Sequence, residues 1–549
     1  MIYKCTTSYM SKYLEIEGTV LEGVDCSVRE SLKEIVIPNG VREIGYAAFR
    51  GCVALQNITI PGSVERIGEN AFEDCSSLQS IIIPDRVKRI GDSIFSGCTA
   101  LASVEIRGHI SEIPYDVFKG CSSLKNILLP DSIVELGMNV FEGCTSLQSI
   151  AIPGSVKNIG DGIFEGCTAL TSVELLGGIS EIPNFTFRGC GSLQTIKLPN
   201  SVKEIGIAAF SGCSSLKNIN LPDGIIKIAP NAFENCSSLQ TIVIPSELQN
   251  ISDSVFEGCS LLQNISFPSN LAYIGRSAFD GTLWLSQNMD DLVIIGNLLY
   301  CCKKEDITSV VIPQSVTKIH EYAFCGCKSL ESIIIPDSVT SIGYKAFAGC
   351  VNLKNVLIPN SVVEVYGCAF DDTMWLSDYA ENLVVINDML YGSKDKSIQS
   401  LNVPNPITKV CPKAFSNFSS LQRVKFSPSV VEIGTAAFAN CTELNYVKFR
   451  SARIKIDDYA FHGCTSLDVV TVKPETKIEI GVNALPSKTC VQRVKPVSNS
   501  SENQPSSKSK DKVSKSNKSS KSSRRRRRNR RRIIFLLLAL VLLYILFIR

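Results

Sequence analysis

The chain has 549 residues, of which 44% are hydrophobic and 20% are charged, and its formal net charge is +3. This balance is ordinary for folded proteins and excludes a chain that is disordered throughout. The charge is unevenly placed, because residues 500–532 contain fourteen Lys and Arg against two acids, whereas residues 1–499 carry a net charge of −10. We therefore predict an acidic folded part followed by a basic tail.

The folded part is built from a 23-residue repeat that is marked by phenylalanine. Eleven phenylalanines from Phe49 to Phe279 stand 23 residues apart, and the register resumes at Phe324 and, after a second break, at Phe415. A period of about 20 to 50 residues is the signature of a solenoid, in which each repeat buries its apolar face against its neighbours. Each break is 45 residues long, so each break is expected to replace one coil.

Within one coil the pattern predicts a strand, a turn, a second extended piece and a short helix. In the repeat that ends at Cys98, Ile81 and Ile83 alternate with outward residues, and Pro84 ends the strand because proline cannot donate a ladder hydrogen bond. Residues 87–98 then show apolar spacings of three and four around a glycine, which we interpret as an extended piece and a helical turn. The predicted fold is an α/β repeat solenoid of about twenty coils with a parallel sheet.

A cysteine follows most of the register phenylalanines by three residues, as Cys75 follows Phe72. Fourteen of the 22 cysteines occupy this position. A zinc site would need paired C-x-x-C spacing or histidine partners, which the repeat lacks. Disulfide-linked Cβ atoms lie about 3.8 Å apart, closer than equivalent atoms on neighbouring strands. We therefore predict reduced, buried thiols that pack beside the phenylalanines, and infer a reducing compartment.

The consensus L-x-x-I-x-I-P-x-x-V-x-x-I-G-x-x-A-F-x-x-C closely resembles the leucine-rich repeat of BspA-like surface proteins. The resemblance covers residues 32–485, and a T-x-W-L…L-V…L-Y block similar to the family's occurs in both breaks, from Thr282 to Tyr300 and from Thr373 to Tyr391. It implies a right-handed solenoid used for adhesion or protein recognition, without enzymatic activity. The family is best known at cell surfaces, yet residues 1–20 show no basic start followed by an apolar run, so no signal peptide is predicted.

The residues themselves give no support for catalysis. His109, His320 and His462 occupy three unrelated repeat positions and are expected to be exposed single substitutions. Spacing singles out no carboxylate pair, and the glycine-rich nucleotide-binding motifs do not occur in the sequence. We predict no catalytic residue, no cofactor and no metal.

The outward residues of the strand row are the first candidate binding surface. One outward column is small and polar, and the column beside it is often aliphatic. The aliphatic candidates are Ile82, Leu128, Val243, Ile334 and Leu357. This pattern fits a half-exposed sheet with ordinary β-propensity, and it also fits a face that binds a protein or glycan partner.

Trp284 and Trp375, one in each break, are the second candidate surface. Tryptophan is enriched among the residues that dominate binding energy. The alternative is that each tryptophan packs against the neighbouring core.

The tail predicts a membrane anchor. Residues 497–523 are a low-complexity linker, and eight arginines within residues 524–532 precede sixteen uncharged residues, 533–548. Such a helix spans about 24 Å, which suffices in a thin membrane or with snorkelling arginines. Lipid contacts are expected from Arg524, Arg528, Arg532, Ile533, Leu540 and Ile548. The alternatives are an interfacial helix, a lipid-anchor signal and phosphate binding by the arginines.

The predicted organisation is an N-terminal cap (1–31), the solenoid (32–489) with modified coils near 280–308 and 371–397, a basic linker (490–532) and an anchor (533–549). The positive-inside rule places the linker and the solenoid on the cytoplasmic side, whereas the family resemblance favours the outer surface. The sequence thus predicts a membrane-anchored, non-enzymatic recognition protein with an unknown protein or glycan partner. The alternatives are a surface adhesin or antigen and, less favoured, a nucleic-acid-associated protein that uses the arginine run.

Overall fold

The computed structural model describes residues 13–288 and 290–494, which form a β-solenoid of about 21 turns. A typical coil contributes one strand to each of two rows. First-row strands end one or two residues before the proline of the repeat or the residue that replaces it, and most second-row strands end at the isoleucine before the glycine position. Two short helices and three antiparallel hairpins divide the described chain into a first segment (13–288), a second segment (290–382) and a third segment (383–494).

The first segment contains β1 (Leu14–Glu17), β2 (Val20–Val24), β3 (Glu34–Val36), β4 (Glu43–Ile44), β5 (Asn57–Thr59), β6 (Arg66–Ile67), β7 (Ser80–Ile83), β8 (Arg89–Ile90), β9 (Ser103–Ile106), β10 (Glu112–Ile113), β11 (Glu135–Leu136), β12 (Ser149–Ile152), β13 (Asn158–Ile159), β14 (Ser172–Leu175), β15 (Glu181–Ile182), β16 (Thr195–Lys197), β17 (Glu204–Ile205), β18 (Lys227–Ile228), β19 (Thr241–Val243), β20 (Asn250–Ile251), β21 (Asn264–Ser266), β22 (Tyr273–Ile274) and α1 (Leu283–Gln287). The second contains β23 (Leu292–Ile295), β24 (Leu298–Cys302), β25 (Ser309–Val311), β26 (Lys318–Ile319), β27 (Ser332–Ile334), β28 (Ser341–Ile342), β29 (Asn355–Leu357), β30 (Glu364–Val365) and α2 (Met374–Ser377). The third contains β31 (Leu383–Ile386), β32 (Met389–Ser393), β33 (Ser400–Val403), β34 (Lys409–Val410), β35 (Arg423–Phe426), β36 (Glu432–Ile433), β37 (Tyr446–Lys448), β38 (Arg453–Ile456), β39 (Val469–Val472), β40 (Lys477–Ile480) and β41 (Cys490–Arg493).

Strands of neighbouring coils pair in parallel, mostly with a register of 23 residues. In the first row Ser149 pairs with Ser172, and Ser172 with Thr195. In the second row Glu43 pairs with Arg66. The coil at residues 126–128 forms no first-row strand, so the first row is interrupted there. The parallel pairing predicted from the repeat period is confirmed.

Each segment begins with an antiparallel hairpin: β1–β2, β23–β24 and β31–β32. All three share the same pairing, the same bulge and a two-residue turn, whose first residue (Gly18, Gly296 or Asn387) has positive φ. A positive φ at this position is what such tight hairpin turns require. The second strand then pairs in parallel with β4, β26 or β34 and so starts the second row. The structure thus places a hairpin in both predicted breaks and a third copy at residues 14–24.

The register phenylalanines form stacks inside the solenoid. From Phe49 to Phe279 they are fully buried, with ring centroids 5.2 to 5.8 Å apart and planes within 18° of parallel. Tyr300 and Tyr391, from the second and third hairpins, pack edge-on against Phe279 and Phe370, the last phenylalanines of the first two stacks. Offset parallel rings are a favourable arrangement for buried aromatic side chains.

The predicted short helix in each coil is wrong. Asn70 and Asp74, which flank Phe72, have positive φ, and such residues do not fit a right-handed helix. The backbone N–H groups of Asn70, Phe72 and Asp74 donate to carbonyl oxygens of residues 92, 94 and 96 in the next coil. A helix would instead bond them to carbonyls four residues earlier. The fold is therefore a β-solenoid, and within the described residues α-helix is confined to α1 and α2.

The repeat cysteines form a second internal column. All fourteen are buried, and every described cysteine is a free thiol. In twelve of them Sγ donates to the carbonyl oxygen of a phenylalanine 26 residues earlier, as from Cys98 to Phe72 at 3.1 Å. The other two, Cys52 and Cys327, lie in the first coils after the first and second hairpins. The packing role is confirmed, and the thiol also links neighbouring coils.

Burial raises the pKa of several of these thiols, for example to about 12 for Cys98 and Cys167. In an unfolded chain the same groups ionise at an ordinary pKa of about 8.5. An acid with a raised pKa in the folded state contributes stability below its unfolded pKa and loses that contribution as pH rises towards the folded pKa. The free energy of unfolding should therefore fall between about pH 8.5 and pH 12.

Phe141→Ala should lower local stability by about 3–5 kcal/mol, because it leaves a cavity between two stacked rings. The measurement is amide hydrogen exchange in the coils that contain Phe118 and Phe164, whose rings lie 5.5 and 5.6 Å from that of Phe141. Leu128→Ala is the control, since Leu128 is 89% exposed and its loss should change exchange little. Equal effects of the two substitutions would contradict a buried stack.

Urea unfolding of the full chain should show a lower midpoint at pH 9.5 than at pH 7.5. Lysines and tyrosines also titrate in this range, so the decisive comparison is the variant with Cys98→Ala and Cys167→Ala. Its free energy of unfolding should depend less steeply on pH, by up to about two protons. An unchanged slope would mean that these thiols ionise equally in the folded and unfolded chains.

Candidate functional site

First-row strands expose two side chains per coil, and these line up across the coils into two columns. The first, which we call the polar column, holds small polar residues such as Ser149, Ser172 and Thr195. The second lies two residues later in each strand, and we call it the variable column because its chemistry changes along the chain. It contains all five predicted aliphatic candidates, each of which is exposed or half-buried.

In the first segment the aliphatic candidates are isolated from one another. Ile82 is 45% exposed and pairs with Glu105, whereas Val243 is 66% exposed and pairs with Ser266. Leu128 lies in a coil that forms no first-row strand. The structure therefore does not bring Ile82, Leu128 and Val243 together into one patch.

In the second segment the variable column is aliphatic in three successive strands. Val311, Ile334 and Leu357 pair in register across β25, β27 and β29, and we call them the aliphatic ladder. Val311 is 55% and Leu357 50% exposed, with Ile334 half-buried between them. Val311 was not among the predicted candidates, although counting 23 residues back from Ile334 would have found it.

The polar column follows the aliphatic ladder along one side. Its members there are Ser309, Ser332 and Asn355, and the hydroxyl of Ser332 donates to that of Ser309 at 3.0 Å. The arrangement is a continuous apolar strip with hydrogen-bonding groups beside it. An open surface of this kind can bind another macromolecule, and it does not enclose a small molecule.

The two candidate tryptophans lie half-buried at the junctions between segments. Trp284 packs against Phe267 and Phe279, and Trp375 against Phe370 and Tyr379. The helix that holds each tryptophan is capped by a threonine, whose hydroxyl accepts a hydrogen bond from the N–H of Leu285 or Leu376. The geometry brings neither tryptophan to the aliphatic ladder.

Two lysines that the sequence analysis did not single out hold these helices in place. Lys394 donates from Nζ to the carbonyl oxygens of Ser377 and Tyr379, at 2.7 and 3.0 Å. Lys303, at the equivalent position of the preceding hairpin, donates to Ser286. Both lysines stand at the same spacing after the L-Y pair of their break. This repeated position is the sequence signal that could have identified them.

One of the three histidine expectations is wrong, because His320 is buried. Its ring packs 5.0 Å from that of Tyr300, and Nε2 lies 2.6 Å from the carbonyl oxygen of Ile274. The histidine replaces the glycine of the repeat in the first coil after the second hairpin, where a larger side chain fits. His109 and His462 are exposed as predicted.

No group of three or more His, Cys, Asp or Glu residues in the described parts of the chain is placed to hold a metal ion. No helix among the residues that the structure describes is long and apolar enough to cross a membrane. The predicted anchor and its lipid contacts, from Arg524 to Ile548, lie outside the described residues.

Comparisons with known proteins agree with the repeat pattern. The family model for the BspA type leucine rich repeat region matches residues 26–144, 100–206, 180–298, 293–388 and 384–503. No curated protein matches the chain.

Several solved structures are similar to this chain. A leucine-rich repeat protein of T. pallidum is 29% identical over 38% of this chain and 90% of its own, with a TM-score of 0.28. One from Bacteroides ovatus is 25% identical over 88% and 97%, with a TM-score of 0.26. A leucine-rich cell surface protein of Faecalibacterium prausnitzii is 21% identical over 85% and 92%, with a TM-score of 0.22. Because the family model spans most of its length, the chain belongs to the BspA-type leucine-rich repeat family.

Proposed function

We propose that this chain is a non-enzymatic recognition protein whose solenoid binds a protein partner through the aliphatic ladder. The observation that supports it is the in-register row of Val311, Ile334 and Leu357 on an open sheet face. Neighbouring strands lie about 4.8 Å apart, so the three side chains form one apolar strip. The centres of protein–protein interfaces are similarly apolar and poor in charge.

The backbone geometry favours such a role. The three strands of the ladder are hydrogen-bonded into one sheet with β27 between β25 and β29, so little order has to be gained on binding, which lowers the entropic cost of association. The hydroxyls of Ser309 and Ser332 and the amide of Asn355 supply hydrogen bonds along one edge of the strip. Solenoid proteins commonly use an extended surface of this kind for binding.

The double variant Ile334→Glu and Leu357→Glu should abolish retention of the partner. Both positions point outward, so the fold should persist, whereas two carboxylates would have to be desolvated in the interface. The measurement is affinity capture with the immobilised full chain, followed by quantitative mass spectrometry. The matched control is Leu128→Glu with Val243→Glu, which makes the same change at isolated outward positions.

Proteins that are retained by the wild-type chain and by the control, but lost from the ladder variant, would support the proposal. If the same proteins remain on all three chains, or are lost only from the control, the ladder is not the binding surface. Circular dichroism of each variant confirms that a loss of binding does not come from unfolding.

We further propose that residues 1–31 cap the solenoid, that a basic linker begins after β41, which is paired with β39, and extends to residue 532, and that residues 533–549 anchor the chain in a membrane. The charge rule supports a cytoplasmic solenoid. Membership in the BspA-type family favours the alternative of a surface adhesin. Trp284 and Trp375 remain secondary candidates for partner contact.

Glycosylation in a eukaryotic host can separate the two orientations. Asn57-x-Thr59 and Asn264-x-Ser266 lie on outward strand positions with exposed asparagines, so both acceptor sites are accessible on the folded surface. A cytoplasmic solenoid should carry no N-linked glycan at either asparagine by mass spectrometry. A glycan at Asn57 or Asn264 that disappears in the corresponding Asn→Gln variant would show that the solenoid had crossed the membrane.

A further inference from the structure

The outward face of the first row changes chemistry in the third segment. In the first two segments, Lys197 is the one Lys or Arg among the described residues of the polar and variable columns. In the third segment Arg423 and Tyr446 take successive places in the polar column, and Lys425 and Lys448 take successive places in the variable column. We call these four residues the cationic face.

The charge of the whole third segment agrees with this local change. Residues 383–494 contain fourteen Lys and Arg against nine Asp and Glu, whereas residues 1–382 contain 26 against 42. The change from net negative to net positive thus coincides with the start of the third hairpin. The third segment is the part of the described chain suited to a negatively charged partner.

The positive charges of the cationic face are not neutralised within the solenoid. On the second row, Lys409 pairs with Glu432 at 2.7 Å and Arg453 with Glu479 at 2.8 Å. No ion pair is formed by Arg423, Lys425 or Lys448 with any described residue. Like charges directly opposite on neighbouring strands are destabilising. The register of Lys425 with Lys448 therefore has a cost that a bound anion would relieve.

The other outward residues of this sheet indicate which class of anion fits. Polar groups continue the variable column on both sides of the lysines, at Asn402, Thr471 and Gln492. Among the outward residues of β33, β35, β37, β39 and β41, Val469 is the one aliphatic side chain. The apolar centre of a protein partner's interface would find no apolar surface to pack against on this face. Hydroxyl and anionic groups of a polysaccharide match amides, hydroxyls and ammonium groups.

Single-stranded nucleic acid is a poorer match. Its bases bind by stacking on exposed aromatic rings, and Tyr446 is the aromatic residue of this face. The guanidinium of Arg423 lies over the Tyr446 ring, 5.0 Å from its centroid. The ring is therefore partly occupied by a cation, and the same contact holds the guanidinium in a fixed place beside the two lysines.

We propose that the cationic face binds an acidic polysaccharide, with sulfate or carboxylate groups contacting Arg423, Lys425 and Lys448 and sugar hydroxyls contacting the flanking polar residues. This site is separate from the aliphatic ladder and goes beyond the proposed protein-binding function. Substitutions in one surface should leave binding at the other unchanged.

The test uses the full chain with its eight tail arginines in residues 524–532 replaced by glutamine, which removes their contribution to polyanion binding. The probe is a heparin oligosaccharide, and binding is followed by calorimetry. Lys425→Gln with Lys448→Gln should weaken binding about tenfold and reduce the slope of log Kd against log salt concentration by about one to two. The matched control, Lys197→Gln with Lys217→Gln, removes the same charge from the first segment and should weaken binding less than about twofold.

The variant with Lys425→Gln and Lys448→Gln should be at least as stable as its parent, because it removes the repulsion between two like charges on neighbouring strands. A loss of heparin binding in this variant therefore reports on the cationic face and not on unfolding. Neutral dextran should not bind. Weaker heparin binding in the cationic-face variant alone supports the proposal. Equal loss in both variants, or tighter face-dependent binding of poly-L-glutamate, single-stranded DNA or anionic lipid vesicles than of heparin, would overturn it.

Discussion

The hydrogen bonds that the backbone around each register phenylalanine makes to the next coil are the interaction on which the structure depends. Residues two before and two after the phenylalanine take positive φ, which turns their N–H groups along the solenoid axis. The phenylalanine carbonyl in turn accepts from the cysteine thiol of the following coil, as Phe72 does from Cys98. Rings, thiols and amides thus repeat together, which sets the common coil length of 23 residues.

This internal repetition leaves the outward strand residues free to differ. Paired inward residues such as Ile333 and Val356 follow the core pattern, while their outward neighbours Ile334 and Leu357 do not. One scaffold therefore presents mixed, aliphatic and cationic surfaces in its first, second and third segments. The hairpins that start the segments also mark where these surfaces change. The ligands that we propose for the second and third segments differ accordingly.

Much of the fold follows from the sequence because burial is strict at the phenylalanine, cysteine and isoleucine positions. The helix prediction failed because apolar spacings of three and four also arise in a coil with two left-handed residues. Asn70 and Asp74, both tolerant of positive φ, were the overlooked signal. For the candidate site, the aliphatic positions could be listed from the sequence, but whether they form one patch depended on pairing. Leu128 and Leu357 look alike in the sequence, yet the coil of Leu128 has no first-row strand.

The most direct test of recognition by the first-row face is hydroxyl-radical footprinting of the full chain, free and bound to its captured protein partner. The account predicts that oxidation of Ile334 and Leu357 falls on binding, while Tyr115, which is 51% exposed outside the two outward columns, stays equally reactive. Protection of Tyr115 with unchanged Ile334 and Leu357 would contradict it.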